Sequence, residues 1–160
     1  MSDIDLVPRG LEGWLGLADI DVVNGQLASR QQLATAVLVS LFTWRRANKD
    51  DQLPIGMTDR YGWWGDNLSD IEGDKIGSRL WLLYREKITI ATMLRAKQYA
   101  EEALNWLVED KVADKVEVRV SRLQTSNIWT IALEVDVVQP NSNKETFRFS
   151  DLWNQIRMGA

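Results

Sequence analysis

The sequence predicts an α+β fold in which a three-stranded C-terminal antiparallel meander packs against helices, with a long Trp/Arg-containing loop. Apolar residues recur at helical spacing in the first two-thirds of the chain and at alternate positions in the last third. The polar stretch 44–75 separates two helical segments. Loops of that length are usually functional or disordered, and its aromatic content argues against plain disorder. At 160 residues, we expect one domain over 1–160.

Three helices are predicted, each with its own start signal. Ser29 begins the first, over about residues 30–43, and Gln32 completes a capping-box pattern. Ser78 is a suitable cap for a short second helix, and Thr89 for the third and longest. The apolar positions are Leu33, Val37, Leu38 and Leu41 in the first helix, Leu80, Leu83 and Tyr84 in the second, and Met93, Ala96, Ala100, Ala103, Leu104 and Leu107 in the third.

The last third of the chain predicts three antiparallel strands that bury one face. Turn residues separate the strands at 124–127 and 140–143. The alternating apolar positions are Val116, Val118 and Val120, then Trp129, Ile131, Leu133, Val135 and Val137, then Phe147 and Phe149. A meander has two edge strands, and an edge strand can pair with a strand from another chain. Lys144, Glu145 and Arg148 on the last strand offer the alternative of a charge-protected edge.

The two ends of the chain carry less information. Residues 1–28 are expected to form short extended pieces around the tight turn Asn24-Gly25. The acidic N-terminus lacks the basic and apolar regions of a signal peptide, and no apolar run reaches the ~20 residues that span a bilayer. A short amphipathic segment with Leu152, Trp153 and Ile156 follows the strands. We therefore expect the protein to be made, and first to act, in the cytoplasm.

Composition argues against several kinds of chemistry. The chain has no histidine and no cysteine, which removes Ser-His-Asp and Cys-His mechanisms, disulfides and thiolate ligands. Its net charge of −4 argues against general nucleic-acid binding, which depends on cationic side chains neutralising phosphates. The loop's carboxylates and tryptophans would suit a sugar hydrolase, but no spacing selects an acid/base pair and Asp is common in turns. The sequence has neither a calcium-loop nor a phosphate-loop pattern, so no cofactor or metal is expected.

The most unusual feature of the composition is its eight tryptophans in 160 residues. Several arginines lie near these tryptophans in the sequence. Gly62-Trp63-Trp64-Gly65-Asp66 places two adjacent indoles between glycines, and each indole needs a large apolar contact surface. Because Trp and Arg are enriched at interface hot spots, the predicted partner-binding residues are Trp44, Arg45, Arg46, Trp63, Trp64, Asp66, Arg79 and Arg85. Favourable placement at a helix C-terminus is the alternative role for Arg45-Arg46. An internal anchor is an equally supported role for Trp63-Trp64.

Tryptophan-rich motifs along nearly the whole chain resemble the Mu-like phage tail protein 46 family. The motifs are Ser40-Leu41-Phe42-Thr43-Trp44-Arg45-Arg46-Ala47, Gly62-Trp63-Trp64-Gly65-Asp66, Gly77-Ser78-Arg79-Leu80-Trp81-Leu82-Leu83 and Ala103-Leu104-Asn105-Trp106-Leu107. Asn24-Gly25-Gln26-Leu27-Ala28 is similar to the family's N-terminal turn, where an aspartate commonly precedes the leucine. The arrangement is also distantly similar to the small wedge protein, or sheath initiator, of other contractile tails. Gly77-Ser78-Arg79-Leu80 occupies the place of their Gly-Ser-x-Leu helix start, whereas their Gly-Glu-Arg sequence is absent.

This resemblance implies a structural, non-enzymatic component of a contractile-tail baseplate, a virion protein assembled in the host cytoplasm. It implies that the chain binds other baseplate wedge proteins and tail sheath subunits, helps to initiate the sheath, and is repeated six-fold in the baseplate. No nucleic-acid or membrane partner is expected. The alternatives are a carbohydrate-binding or peptidoglycan-hydrolysing module of the tail tip, or an unrelated cytoplasmic adaptor.

Overall fold

The computed structural model describes residues 29–60, 76–84, 86–125 and 127–152 of the chain. Its elements are helix α1 (Ser29–Phe42), a 3₁₀ helix (Leu80–Leu83), helices α2 (Ile90–Leu104) and α3 (Trp106–Glu109), and strands β1 (Lys115–Thr125), β2 (Ile128–Val138) and β3 (Lys144–Phe149). The strands form one antiparallel sheet in the order β1-β2-β3. This arrangement confirms the predicted α+β fold with a C-terminal meander.

Helix α1 packs its apolar face into the core. Leu33, Val37 and Leu41 are buried as predicted, and Leu38 is partly buried. At the end of α1, Phe42 meets Phe149 of β3 edge-to-face, with ring centroids 5.1 Å apart. This contact ties the first helix to the last strand.

Helix α2 starts at the predicted cap and ends earlier than its apolar stripe suggests. The Thr89 side chain accepts a hydrogen bond from the backbone N–H of Thr92, at 3.1 Å. The expectation of one continuous helix through Leu107 is wrong, because a turn at Asn105 separates α2 from α3. The turn still leaves Leu107 fully buried, and the Trp106 indole N–H donates to Ser40 Oγ at 2.9 Å. A single apolar stripe therefore continues from α2 into the short helix α3.

The predicted short helix is a 3₁₀ turn that is buried on all sides. Leu80, Trp81, Leu82 and Leu83 are all buried, so no exposed face remains. Arg79, not Ser78, occupies the N-cap position, but Ser78 Oγ accepts from the Leu80 N–H at 3.2 Å. The hydroxyl of Ser78 also donates to the carbonyl of Leu41. Ser78 thus links this segment to α1.

The sheet buries one face, and helix α2 packs against β1 on that face. The register places Val118 opposite Val135, and Val135 opposite Phe147, so one apolar row crosses all three strands. The turn predicted at 140–143 is confirmed. The turn predicted at 124–127 is wrong in its first half, because Gln124 and Thr125 stay paired with Trp129 and Ile128 and belong to β1.

The opposite face of the sheet carries a charged network. Arg119 on β1 bonds to both Glu134 and Asp136 on β2. Asp136 also binds Lys144 and Thr146 of β3, at 2.8 and 2.7 Å. Its side chain is only 1% exposed beneath these partners. The network therefore joins the three strands on the face away from the helices.

Several expectations fall on residues outside the described ranges. These are the N-terminal turn Asn24-Gly25, most of the second half of the predicted loop, and the terminal Trp153 and Ile156. Within the described part of the chain, no helix is long and apolar enough to cross a membrane.

Candidate assembly site

Two segments that are distant in sequence pair at the end of α1. Trp44 and Ser78 form an isolated parallel bridge. The N–H of Ser78 donates to the carbonyl of Thr43 at 2.9 Å, and the N–H of Arg45 donates to the carbonyl of Ser78 at 3.0 Å. The predicted Trp/Arg motif and the Gly-Ser-Arg-Leu motif are therefore held side by side through their backbones.

Gly77 makes this close approach possible. Its φ of +99° lies in the left-handed region, which L-residues with a Cβ rarely adopt. A Cβ at this position would lie 2.3 Å from the Thr43 carbonyl oxygen. The glycine before Ser78 is thus required both by backbone conformation and by space.

Two predicted motifs also meet through their tryptophans. The rings of Trp44 and Trp81 are stacked, with centroids 5.2 Å apart and 11° between their planes. Trp81 is 1% exposed, and its indole N–H donates to the carbonyl of Arg45 at 2.7 Å. Trp81 is therefore a core residue, and the half-buried Trp44 ring packs on its face.

Arg79 lies at the centre of a cluster formed by Arg45, Asp51, Arg79, Tyr99 and Glu102, here called the Arg79 cluster. Its Nη1 donates to both carboxylate oxygens of Asp51, at 2.9 and 3.0 Å, and its Nη2 binds Glu102 at 2.6 Å. Glu102 also pairs with Arg45 at 3.1 Å. The Arg79 guanidinium carbon lies 4.5 Å from the centre of the Tyr99 ring. The cluster fastens the long loop to helix α2.

Burial and the neighbouring carboxylates shift the pKa of Arg79 in opposite directions. Burial alone would lower the pKa of Arg79, but its hydrogen bonds to Glu102 and Asp51 outweigh this effect and raise the pKa. Burial, with the nearby charge of Asp51, raises the pKa of Tyr99. Arg79 therefore stays charged and Tyr99 stays neutral at physiological pH. Such a pair suits a cation–π contact rather than proton transfer.

A second arginine organises the described part of the loop beyond Ala47. Arg60 donates to the carbonyl of Asn48 and, at 2.9 Å, to that of Lys49, and its own carbonyl accepts from Ala47 N–H at 2.9 Å. Asn48 N–H donates to the Asp51 carboxylate at 2.7 Å. The carboxylate that holds Arg79 is thus itself fixed by the loop.

The predicted site residues divide into three groups. Trp44, Arg45 and Arg79 are brought together at the paired segments, and the Arg79 side chain is only 10% exposed. Arg46 is exposed beside them. Trp63, Trp64, Asp66 and Arg85 lie outside the described residues, and their role stays a prediction.

Asp51, Tyr99 and Glu102 were not predicted as parts of this site. In the sequence, Glu102 falls on the polar side of the longest predicted helix, and Asp51 is one of several carboxylates in the predicted loop. The only sign of Asp51 and Glu102 in the sequence is that acidic residues occur in the segments before and after Arg79. That signal does not select which carboxylate meets Arg79.

The arrangement is suited to packing and to contacts between charged and aromatic groups. Asp51 is engaged by Arg79, whereas Asp50 and Asp59 are exposed on the loop. No three acidic side chains of the described residues come close enough together to hold a metal ion. The fold and the site together define an α+β protein built on two paired segments rich in tryptophan and arginine.

Comparison with known proteins narrows this class to one family. The chain belongs to the phage protein GP46 family, whose model matches residues 33–144. It is similar to "Baseplate protein gp46" of Escherichia phage Mu, with 39% identity over 98% of this chain and 100% of the relative. It is also similar to "Mu-like prophage FluMu protein gp46" of Haemophilus influenzae, with 34% identity over 96% of this chain and 99% of the relative. No solved structure matches.

Proposed function

We propose that this protein is a structural component of a contractile phage tail baseplate, acting as one domain without catalytic activity. The observation that carries the proposal is the 39% identity to the phage Mu baseplate protein over essentially all of both chains. In this role the chain binds other wedge proteins, helps to initiate the sheath, and is repeated six-fold. Assembly takes place in the host cytoplasm, and the final location is the virion tail.

The Trp/Arg segments supply the wedge-binding surface in this proposal. The described part of that surface is Arg46 with the neighbouring Trp44 and Arg45, and the remaining predicted contacts are Trp63, Trp64, Asp66 and Arg85. Arg79 supports the surface from beneath, since it binds Asp51 and Glu102 within the chain. This division of roles is supported by the contrast between exposed Arg46 and nearly buried Arg79.

An edge strand supplies the contact to the sheath. In the described residues β1 pairs with β2 alone, along 11 residues, whereas β3 pairs with β2 over 6. The longer edge strand β1 offers more backbone groups for an added strand. We therefore assign the sheath contact to β1.

Deletion of the gene from a phage that encodes this chain tests the role. Electron microscopy should show tails that lack a properly assembled sheath, and wild-type protein supplied in trans should restore them. Normal sheathed tails in the deletion would contradict the proposal. Release of soluble fragments from peptidoglycan by the purified protein would contradict the non-catalytic role.

Charge reversal tests the wedge-binding surface more narrowly. Arg46→Glu should reduce incorporation into baseplates, while Lys111→Glu, the same charge change at an exposed site after α3, should not. Trp63→Ala with Trp64→Ala should block incorporation with little loss of folding. Equal losses of folding and incorporation would instead make those two tryptophans core residues.

A further inference from the structure

The β1–β2 hairpin continues beyond the third strand of the sheet. β3 pairing ends with Phe149 opposite Leu133, whereas β1 and β2 remain paired as far as Thr125 and Ile128. In the described residues, this end of β2 has β1 as its one strand neighbour. The end of the hairpin is therefore not held within the three-stranded part of the sheet.

Large apolar side chains are exposed on both faces at this end. Trp129 is 45% exposed. It lies on the same face of β2 as Ile131, two residues further along, which is fully buried. Ile128 is 69% exposed on the other face, where Leu123 of β1 is 38% exposed. Leu123, Ile128 and Trp129, with Arg122, are called the hairpin tip below. Leu123 and Ile128 thus expose apolar surface on one face of the tip, and Trp129 exposes it on the other face beside Arg122.

Arg122 gives the hairpin tip a positive charge. Its guanidinium carbon lies 4.0 Å from the centre of the Trp129 ring. The two residues are diagonal neighbours, since Arg122 faces Ile131 in the strand register. Arg122 is the sole charged residue between positions 120 and 133, and no ion pair is formed by it among the described residues.

Asp151, an acidic residue described at this end of the sheet, binds a residue of the other face. Asp151 accepts a hydrogen bond from Thr130 at 3.0 Å. Thr130 points to the face opposite Trp129, because successive side chains of a strand alternate. The Arg122 guanidinium, which lies over Trp129, therefore has N–H donors that a carboxylate of another chain can accept from.

We propose that the hairpin tip docks an apolar segment of another tail protein that carries an aspartate or glutamate opposite Arg122. The inference rests on the proposed baseplate function and adds a third contact surface, beside the Trp/Arg segments and the β1 edge, and states the chemistry of its partner. Charge complementarity selects the partner: a cation stacked on an aromatic ring can bind a carboxylate while the ring binds aliphatic groups, and Leu123 and Ile128 offer apolar contacts on the other face of the same tip. Trp and Arg are also the side-chain types that contribute most to binding at interfaces.

Baseplate precursors purified from the gene-deletion phage are the probe for this site. Full-length variants are added to them, and the amount bound is measured against protein concentration. Arg122→Glu and Trp129→Ser should each weaken binding by about thirtyfold or more, as expected for hot-spot residues. The controls Lys111→Glu and Leu94→Ser change an exposed charge and an exposed leucine elsewhere, and should bind as wild type does. Thermal unfolding checks that every variant is folded.

A photocrosslinking residue at position 124, which lies opposite Trp129 on the face that carries Arg122, identifies the occupant. Crosslinked peptides should come from another tail protein and contain an acidic residue within an apolar segment. A crosslink between two copies of this chain, peptides without a carboxylate, or full binding by both tip variants would overturn the inference. If wild-type protein fails to bind the precursors, the proposed function itself fails; if wild type and tip variants bind equally, only the hairpin-tip inference fails.

Discussion

Trp44 lies stacked on Trp81, with 5.2 Å between ring centroids and 11° between ring planes. The stack joins a residue that follows α1 to a fully buried residue of the 3₁₀ helix. The same Trp81 ring also donates its N–H to the carbonyl of Arg45. One side chain thus fixes both the position of Trp44 and the course of the chain after it. The proposed wedge-binding surface depends on this internal support.

Replacing Trp81 with phenylalanine separates the hydrogen bond from the apolar burial. Trp81→Phe should lower the free energy of unfolding by about 2–3 kcal/mol, because the Arg45 carbonyl loses its donor and the stack loses area. Trp106→Phe is the control, since its N–H donates to Ser40 at 2.9 Å but the residue is 36% exposed. It should cost about 1 kcal/mol or less. Urea unfolding measures both, and equal costs would contradict the structural role of the Trp81 bond.

Two glycines with positive φ provide a second matched comparison. Gly77→Ala should destabilise strongly, by about 4 kcal/mol or more, because strain in the left-handed region is added to a collision with Thr43. Gly56 has a φ of +86° but nothing within 4 Å of an added Cβ. Gly56→Ala should therefore cost about 1–2 kcal/mol, the backbone strain alone. Similar losses in the two variants would show that close packing at Gly77 is not required.

Removal of the central arginine should expose the cost of burying Asp51. Arg79→Met should lower the free energy of unfolding by about 3 kcal/mol, because Asp51, whose side chain is 12% exposed, loses its cationic partner, whereas Glu102 keeps Arg45. Lys97→Met breaks the exposed Lys97–Glu101 pair, with side chains 47% and 50% exposed, and should cost about 0.5 kcal/mol or less.

A double-mutant cycle with Asp51→Asn isolates the pair at the centre of the Arg79 cluster. The Arg79–Asp51 coupling should clearly exceed the Lys97–Glu101 coupling, since the first pair is 10% and 12% exposed. Both cycles are measured by urea unfolding under one set of conditions. Coupling of the same size for both pairs would mean that burial does not strengthen the Arg79 pair.

Local signals in the sequence predicted most of the fold. Alternation of Val118 and Val135 with charged residues predicted their strands and the buried face, because side chains of a strand alternate between faces. Thr89 predicted the start of α2 because a hydroxyl can satisfy a free backbone N–H. The turn at Asn105 was missed because the apolar stripe continues to Leu107 across it.

The interior of the site depends on contacts that local patterns do not specify. Arg79 meets Asp51, 28 residues away, and Glu102, 23 residues away. Several loop carboxylates were equally acceptable partners by sequence alone. Which one meets Arg79 depends on the hydrogen bonds by which Arg60 holds the loop. It also depends on Gly77, whose lack of a Cβ allows the segment before Arg79 to approach the Thr43 carbonyl. Long-range geometry, rather than residue type, therefore separates the nearly buried arginine from exposed Arg46.

Acid should weaken the charged network on the outer face of the sheet. Hydrogen bonds from Lys144 and Thr146, with a further one from Arg119, hold the pKa of Asp136 well below its ordinary value despite burial. Arg119 and Arg148 likewise lower the pKa of Glu134. A carboxylate with a lowered pKa binds fewer protons in the folded state than in the unfolded state, so it stabilises the fold above its unfolded pKa. That stability is lost as the pH falls from about 4 towards the folded pKa.

Asp136→Asn tests this assignment through the pH dependence of unfolding. At pH 7 the variant should lose about 1–3 kcal/mol, because Lys144 and Arg119 lose a charged acceptor. As the pH falls below about 4, the difference between the variant and wild type should shrink steadily, because the unfolded wild-type chain protonates Asp136 there, while the folded chain does so only near its lowered pKa. Asp110→Asn, at an exposed carboxylate after α3 that pairs with no cation of the described residues, is the control and should change the free energy of unfolding at pH 7 by less than about 0.5 kcal/mol. A constant difference between Asp136→Asn and wild type from pH 7 down to pH 2 would mean that the aspartate acts through its shape and not through its charge.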